Sequence, residues 1–168
     1  MERIIMGISF NPSEILEMAV QIERNGQKFY KKAAKILKEP DVKQFLLDLA
    51  EMEAKHEKIF KDMKAQLTES EKQVNVFDPD NEAVLYLQAM ADGHVFQPNE
   101  DISAKLTGNE SLMQIFKMAI QAEKDSIVFY IGLKDYVPDA ASQKKVQKII
   151  EEEKNHIVVL NDHLKLYN

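Results

Sequence analysis

A chain of 168 residues, 45% hydrophobic and 30% charged, has the composition of a globular protein and the length of one domain with a sizeable core. Its net charge is −6, and no stripe of Lys and Arg with interleaved aromatics occurs, which sets nucleic acid aside as a partner. The chain has no Cys, so disulfides, thiol catalysis and Cys-ligated zinc or iron–sulfur sites are excluded.

The first segment, MERIIMGISF, carries a short apolar run after Arg3 but no small-residue cleavage site, so no signal peptide is expected and cytoplasm is the expected compartment. No apolar run approaches the roughly 18 residues that a membrane span needs. With only five Gly and five Pro, the chain favours helices.

Asn11-Pro12-Ser13-Glu14 reads as a helix start, with Asn11 as the cap and Pro12 in the first turn. Ile15, Ala19, Ile22, Gly26, Phe29, Ala33 and Ile36 then keep a helical period. Pro40 is expected to end this helix, and Asp41 to cap the next. The second helix carries Phe45, Leu49, Met52, Ile59, Phe60, Met63 and Leu67. A polar stretch, a short helix over about 81–92 stopped by Gly93, and a loop marked by Pro98 and Gly108 follow. The third long helix starts near Asn109 or Ser111, carries Leu112, Ile115, Phe116, Ala119, Ile120, Phe129 and Leu133, and is broken by Pro138. The fourth runs from Asp139 or Ser142, with Val146, Ile149, Ile150, Ile157 and Leu160 inside. Two tight turns make two antiparallel hairpins. The long connection lets the third helix start at the end where the second starts. The expected fold is all-α, a four-helix bundle in a single domain, with hairpins over about 12–67 and 109–166 and a crossover over about 68–108.

The sequence also repeats itself at a shift of 100. Met18-Ala19-Val20-Gln21-Ile22-Glu23 lies over Met118-Ala119-Ile120-Gln121-Ala122-Glu123, and Phe29-Tyr30 over Phe129-Tyr130. Glu53-x-x-His56 lies over Glu153-x-x-His156. Residues three apart share a helix face. Leu49 and Phe60 bracket the first pair, and Ile149 and Leu160 the second, so both pairs sit in apolar stripes. Glu23 and Glu123 lie in the stripes of the other two helices. Four carboxylates and two imidazoles therefore point into one core, with no Lys or Arg at helical spacing to neutralise them.

Each buried, unpaired ion costs several kcal/mol or more. Two divalent cations would balance four carboxylates. Oxygen and imidazole ligands without sulfur suit iron or manganese, and zinc less distinctively. One Glu-x-x-His means little in a chain so rich in Glu; two in register, each 30 residues after a further Glu, is a specific pattern. No His precedes Glu53 or Glu153, so the His-Glu-x-x-His protease motif is absent.

These residues resemble the ferritin-like superfamily, and within it the rubrerythrin-like di-iron proteins. The resemblance covers both hairpins. It implies two iron ions, bridged by Glu53 and Glu153, with Glu23 and His56 as terminal ligands of one and Glu123 and His156 of the other. It also implies that Tyr30 and Tyr130 hydrogen-bond to the carboxylates, that the chain forms a homodimer, and that peroxide or O2 is reduced. Rubrerythrins of two-domain layout carry a rubredoxin domain whose iron is held by four cysteines. A chain without Cys implies an external electron-donor protein instead. Such relatives also have an extra Glu three residues after the third-helix ligand, where this chain has Ser126, which puts peroxide selectivity in question. The alternatives are an iron-oxidising, iron-handling protein and a metal-stabilised bundle that does no chemistry.

The remaining signals have plainer readings. His94 is expected in a loop or at a helix end, and His163 in a structural role. The charges at Lys144, Lys145, Lys148 and Glu151 fit a solvated face.

Overall fold

A computed structural model describes residues 11–73 and 101–167. The expected helix over 81–92 and His94 lie outside them. Among the described residues there is no strand, and no helix is long and apolar enough to cross a membrane. Four long helices are present: α1 (Pro12–Ile36), α2 (Pro40–Gln66), α4 (Leu112–Lys134) and α5 (Ala140–Leu166). A short α3 (Glu69–Gln73) and a 3₁₀ turn (Ile102–Lys105) lie between the two pairs.

The helix starts follow from side chains that satisfy free backbone N–H groups. At α1, Asn11 Oδ1 accepts from Glu14 N at 2.9 Å, and Glu14 returns the bond to Asn11 N at 3.0 Å. Ser111 and Gln114 make the same reciprocal box at α4. Asp139 Oδ1 accepts from the N–H groups of Ala141 and Ser142 at α5. The second helix differs from expectation. Pro40 does not end α1, which closes at Ile36; it opens α2, and neither Asp41 nor Glu39 supplies a side-chain cap. Proline suits this place because a first-turn N–H has no partner to lose.

The apolar residues form two clusters, one towards each end of the bundle. One joins the start of α1 (Ile15, Leu16, Ala19), the end of α2 (Phe60, Met63), the end of α4 (Phe129, Leu133) and the start of α5 (Val146, Ile149). The other joins the end of α1 (Phe29, Ala33), the start of α2 (Val42, Leu46), the start of α4 (Ile115, Phe116) and Leu160 of α5. α1 therefore runs antiparallel to both α2 and α4, and α5 antiparallel to both α4 and α2. This is the ferritin-like four-helix bundle, with a crossover that returns the chain along the bundle's length. Contacts within each hairpin far exceed those between hairpins. On the α1 side the 3₁₀ turn is tied down by Lys32 Nζ, which donates to the Ser103 carbonyl at 2.8 Å.

Candidate metal centre

Between the two apolar clusters, all four long helices turn an ionisable side chain inward. Glu23 comes from α1, Glu53 and His56 from α2, Glu123 from α4, and Glu153 and His156 from α5; none is more than 4% exposed. The structure thus gathers all six residues singled out in the sequence. The Glu-x-x-His spacing stacks each carboxylate one turn from its imidazole on the same face. The two imidazole rings lie 5.9 Å apart and nearly parallel.

Glu153 stands between them, with Oε1 at 2.9 Å from His56 Nδ1 and Oε2 at 2.8 Å from His156 Nδ1. Glu53 does the same more loosely, at 3.8 Å from His56 Nδ1 and 3.4 Å from His156 Nδ1. Glu23 reaches only His56, at 3.6 Å, and Glu123 only His156, at 3.5 Å. Ligand atoms of Glu23, Glu53, His56 and Glu153 lie within 4.8 Å of one another, and so do those of Glu53, Glu123, Glu153 and His156.

Proximity here is not hydrogen bonding. Glu53 Oε1, both Glu153 oxygens, the Nδ1 atoms of both histidines and His156 Nε2 are buried without a hydrogen-bond partner. Leaving one such atom unsatisfied costs about 1–3 kcal/mol, more if it is charged. No Lys or Arg nitrogen among the described residues pairs with any of the four carboxylates. Orphaned oxygen and nitrogen donors that converge in two overlapping sets fit two cations.

Without cations, protons must balance the charge. Burial, followed by the negative field of the neighbouring carboxylates, raises Glu23 and Glu123 well above the ordinary carboxylate range. Burial alone would lower both histidines. The surrounding carboxylates outweigh it, raising His56 and pushing His156 up to about 12. Burial also works against ionised Glu53, yet the adjacent Glu23 carboxyl and the two imidazoles favour its charged form and leave it below its ordinary value.

Two tyrosines reach the cluster, each from the opposite hairpin. Tyr30 donates to Glu123 Oε1 and Tyr130 to Glu23 Oε1. Burial and the adjacent carboxylates raise both phenols, which keeps them protonated as donors. His163 lies elsewhere, stacked on Phe45 at 4.0 Å. Lys144, Lys145, Lys148 and Glu151 are exposed, as expected.

Two further features escaped the sequence reading. A cavity of about 20 Å³ lies between α1 and α4, with Glu53 and Glu123 in its wall. It exists because the residue three after each first-helix Glu is small: Gly26 on α1 and Ser126 on α4. The Ser126 hydroxyl folds back onto the Ala122 carbonyl at 3.1 Å and leaves the space open. The second feature is Glu152, whose Oε2 lies 2.7 Å from His56 Nε2. The repeat held signals for both, in the pair 26/126 and in the break at 52/152.

A ferritin-like bundle with this buried Glu and His cluster defines a metal-binding protein of the diiron-carboxylate class. The chain belongs to the rubrerythrin family, whose model matches residues 14–164. Its fold is similar to that of a Thermotoga maritima protein assigned as a ferritin-like diiron-carboxylate protein. That match has 28% identity and a TM-score of 0.75, and covers 95% of this chain and 98% of the other. A hypothetical protein from Pyrococcus furiosus shares the fold at 22% identity and a TM-score of 0.67, over 94% of this chain and 90% of the other. No curated protein sequence matches the chain.

Proposed function

We propose that the chain is a two-iron redox protein that reduces hydrogen peroxide, or O2, with electrons from a separate donor protein. The observation that carries this reading is the placement of Glu53 and Glu153 between both imidazoles, in a cluster whose buried donor atoms lack partners. Glu53 and Glu153, which belong to both residue sets, would be shared by two ions, with Glu23 and His56 holding one and Glu123 and His156 the other. Four carboxylates against two divalent ions make the buried cluster neutral.

Iron held by these residues would supply the two electrons in H2O2 + 2H⁺ + 2e⁻ → 2H2O. The protein's own groups do the rest. Tyr30 and Tyr130 hold the Glu123 and Glu23 carboxylates in place across the hairpin boundary. The apolar clusters on either side keep bulk water out. The cavity beside Glu53 and Glu123 has room for about one water-sized molecule, which favours a substrate as small as peroxide or O2. The electrons come from outside, from a rubredoxin-like or flavin-dependent protein, because no Cys is present to hold a second iron of that type. Its proposed working form is a cytoplasmic homodimer.

The test is metal analysis, then stopped-flow absorbance of the Fe²⁺-loaded protein mixed in parallel with H2O2 and with O2. Two irons per chain, oxidised faster by peroxide, are expected. Faster reaction with O2 would assign the site to iron oxidation or an oxidase. Failure to hold two metals would overturn the reading. Native mass separates a dimer from the 24-subunit shell that iron storage requires.

A further inference from the structure

The repeat that builds the cluster is broken at a position that touches one of its imidazoles. All six cluster residues recur at a shift of 100, but the residue before the second-helix Glu is Met52 in one half and Glu152 in the other. Glu152 projects from α5 towards α2, where its Oε2 accepts from His56 Nε2 at 2.7 Å. That bond fixes the tautomer of His56. With the proton held on Nε2, Nδ1 is the nitrogen left to face a cation in the cluster. His156 has no such support. Its Nε2 is buried and unpartnered among the described residues, and a thioether at the related position is only a weak acceptor. The Glu152 side chain is 35% exposed and its other oxygen lies 3.5 Å from Lys148 Nζ, so it bridges the buried imidazole to the surface.

A carboxylate that accepts from a ligating imidazole raises the imidazole's basicity and holds its ring in place, and removing it typically weakens metal binding about 10- to 100-fold. From this geometry we propose that Glu152 makes the two metal positions unequal. The position at His56 binds its ion more tightly and fills first, and the position at His156 is the weaker, exchangeable one. Glu152 is a positioning residue, acting on the metal through His56. The inference rests on the two-metal reading above.

The test is anaerobic calorimetric titration with Mn²⁺ of the full chain, its Glu152→Met and Met52→Glu variants, and the double exchange. In the unaltered protein, two binding steps separated by about 10- to 100-fold are expected. In Glu152→Met the tighter step weakens until the two merge. In Met52→Glu the weaker step tightens. The double exchange restores the separation, with the order of filling reversed. Competition with a chelator gives a second readout: the unaltered protein retains one ion per chain over a range of chelator where Glu152→Met retains none. Two ions bound by the unaltered chain, with affinities unmoved in Glu152→Met, would overturn the inference and leave the two-metal reading standing. Fewer than two ions in the unaltered chain would overturn both.

Discussion

The Tyr130 hydroxyl on α4 donates to the Glu23 carboxylate on α1, across 107 residues of sequence. Tyr30 on α1 returns the bond to Glu123 on α4. Each tyrosine lies seven residues beyond the Glu of its own helix, roughly 10 Å along the axis, and so serves the other helix instead. The pair links the two hairpins with polar bonds in a core where their contact is otherwise largely apolar.

Removing one of these hydroxyls leaves a buried carboxylate oxygen without its donor. Tyr130→Phe and Tyr30→Phe should each lower the stability of the metal-free chain by about 1–3 kcal/mol, measured by denaturant unfolding in the presence of chelator. A loss within a few tenths of a kcal/mol would show that the hydroxyls do not hold the hairpins together.

Glu53 and Glu153 should matter more to metal content than any other pair, because each lies against both imidazoles. The double variant Glu53→Ala, Glu153→Ala is expected to lose the ability to hold two metals per chain while remaining helical. Metal analysis after gel filtration, with circular dichroism beside it, checks this. Two metals retained would mean that the ligands lie elsewhere.

The metal-free chain should lose stability as pH rises. His56 and His156 have folded-state values above their ordinary one, so the folded chain binds more protons than the unfolded chain in the interval between. Their contribution is complete below the unfolded value of about 6.5 and declines as pH climbs towards the folded values, about 12 for His156. Glu23 and Glu123, also raised, have the same sign from the ordinary carboxylate range upward. Glu53, which is lowered, has the opposite sign but acts only in acid. Metal binding should strengthen over the same rise in pH, because the ligands must give up these protons. Calorimetric melting with chelator between about pH 6 and 9 should show a falling midpoint; a rising one would contradict the proton assignments.

Gly26→Ala tests the cavity. A Cβ at this position would meet Glu53 Cγ at 3.3 Å and Oε2 at 3.5 Å. Alanine is the better helix former by about 1 kcal/mol, so the fold should survive. The added methyl narrows the space beside Glu53 and should slow oxidation of the iron-loaded protein by peroxide or O2 at unchanged metal content. An unaltered rate would place the substrate's path elsewhere.

Much of this arrangement is legible in the sequence. The four long helices announce themselves through apolar period and through Asn11, Ser111 and Asp139 at their starts. The six cluster residues stand out because a repeat preserves them and burial makes them costly. Pro40 misleads because proline both stops helices and suits their first turn, and only the geometry of the preceding residues decides. The five residues of α3 are charged and polar and have no apolar stripe to betray them. The crossed tyrosine bonds depend on which helix lies opposite, which no local pattern encodes. Glu152 sits beside an exposed run of charge and looks like part of it, until its neighbour across the bundle is known to be His56.

Each set of four metal-competent residues takes three members from one hairpin and its fourth, Glu153 or Glu53, from the other. Neither half of the chain is therefore a metal protein by itself. A chain severed between residues 73 and 101 would consist of two fragments that complete each other only on meeting, with the bound ions as their shared fastening. Two copies of one such fragment, facing each other, could assemble the same cluster, so the repeat reads as a record of a symmetric pair later written into a single polypeptide.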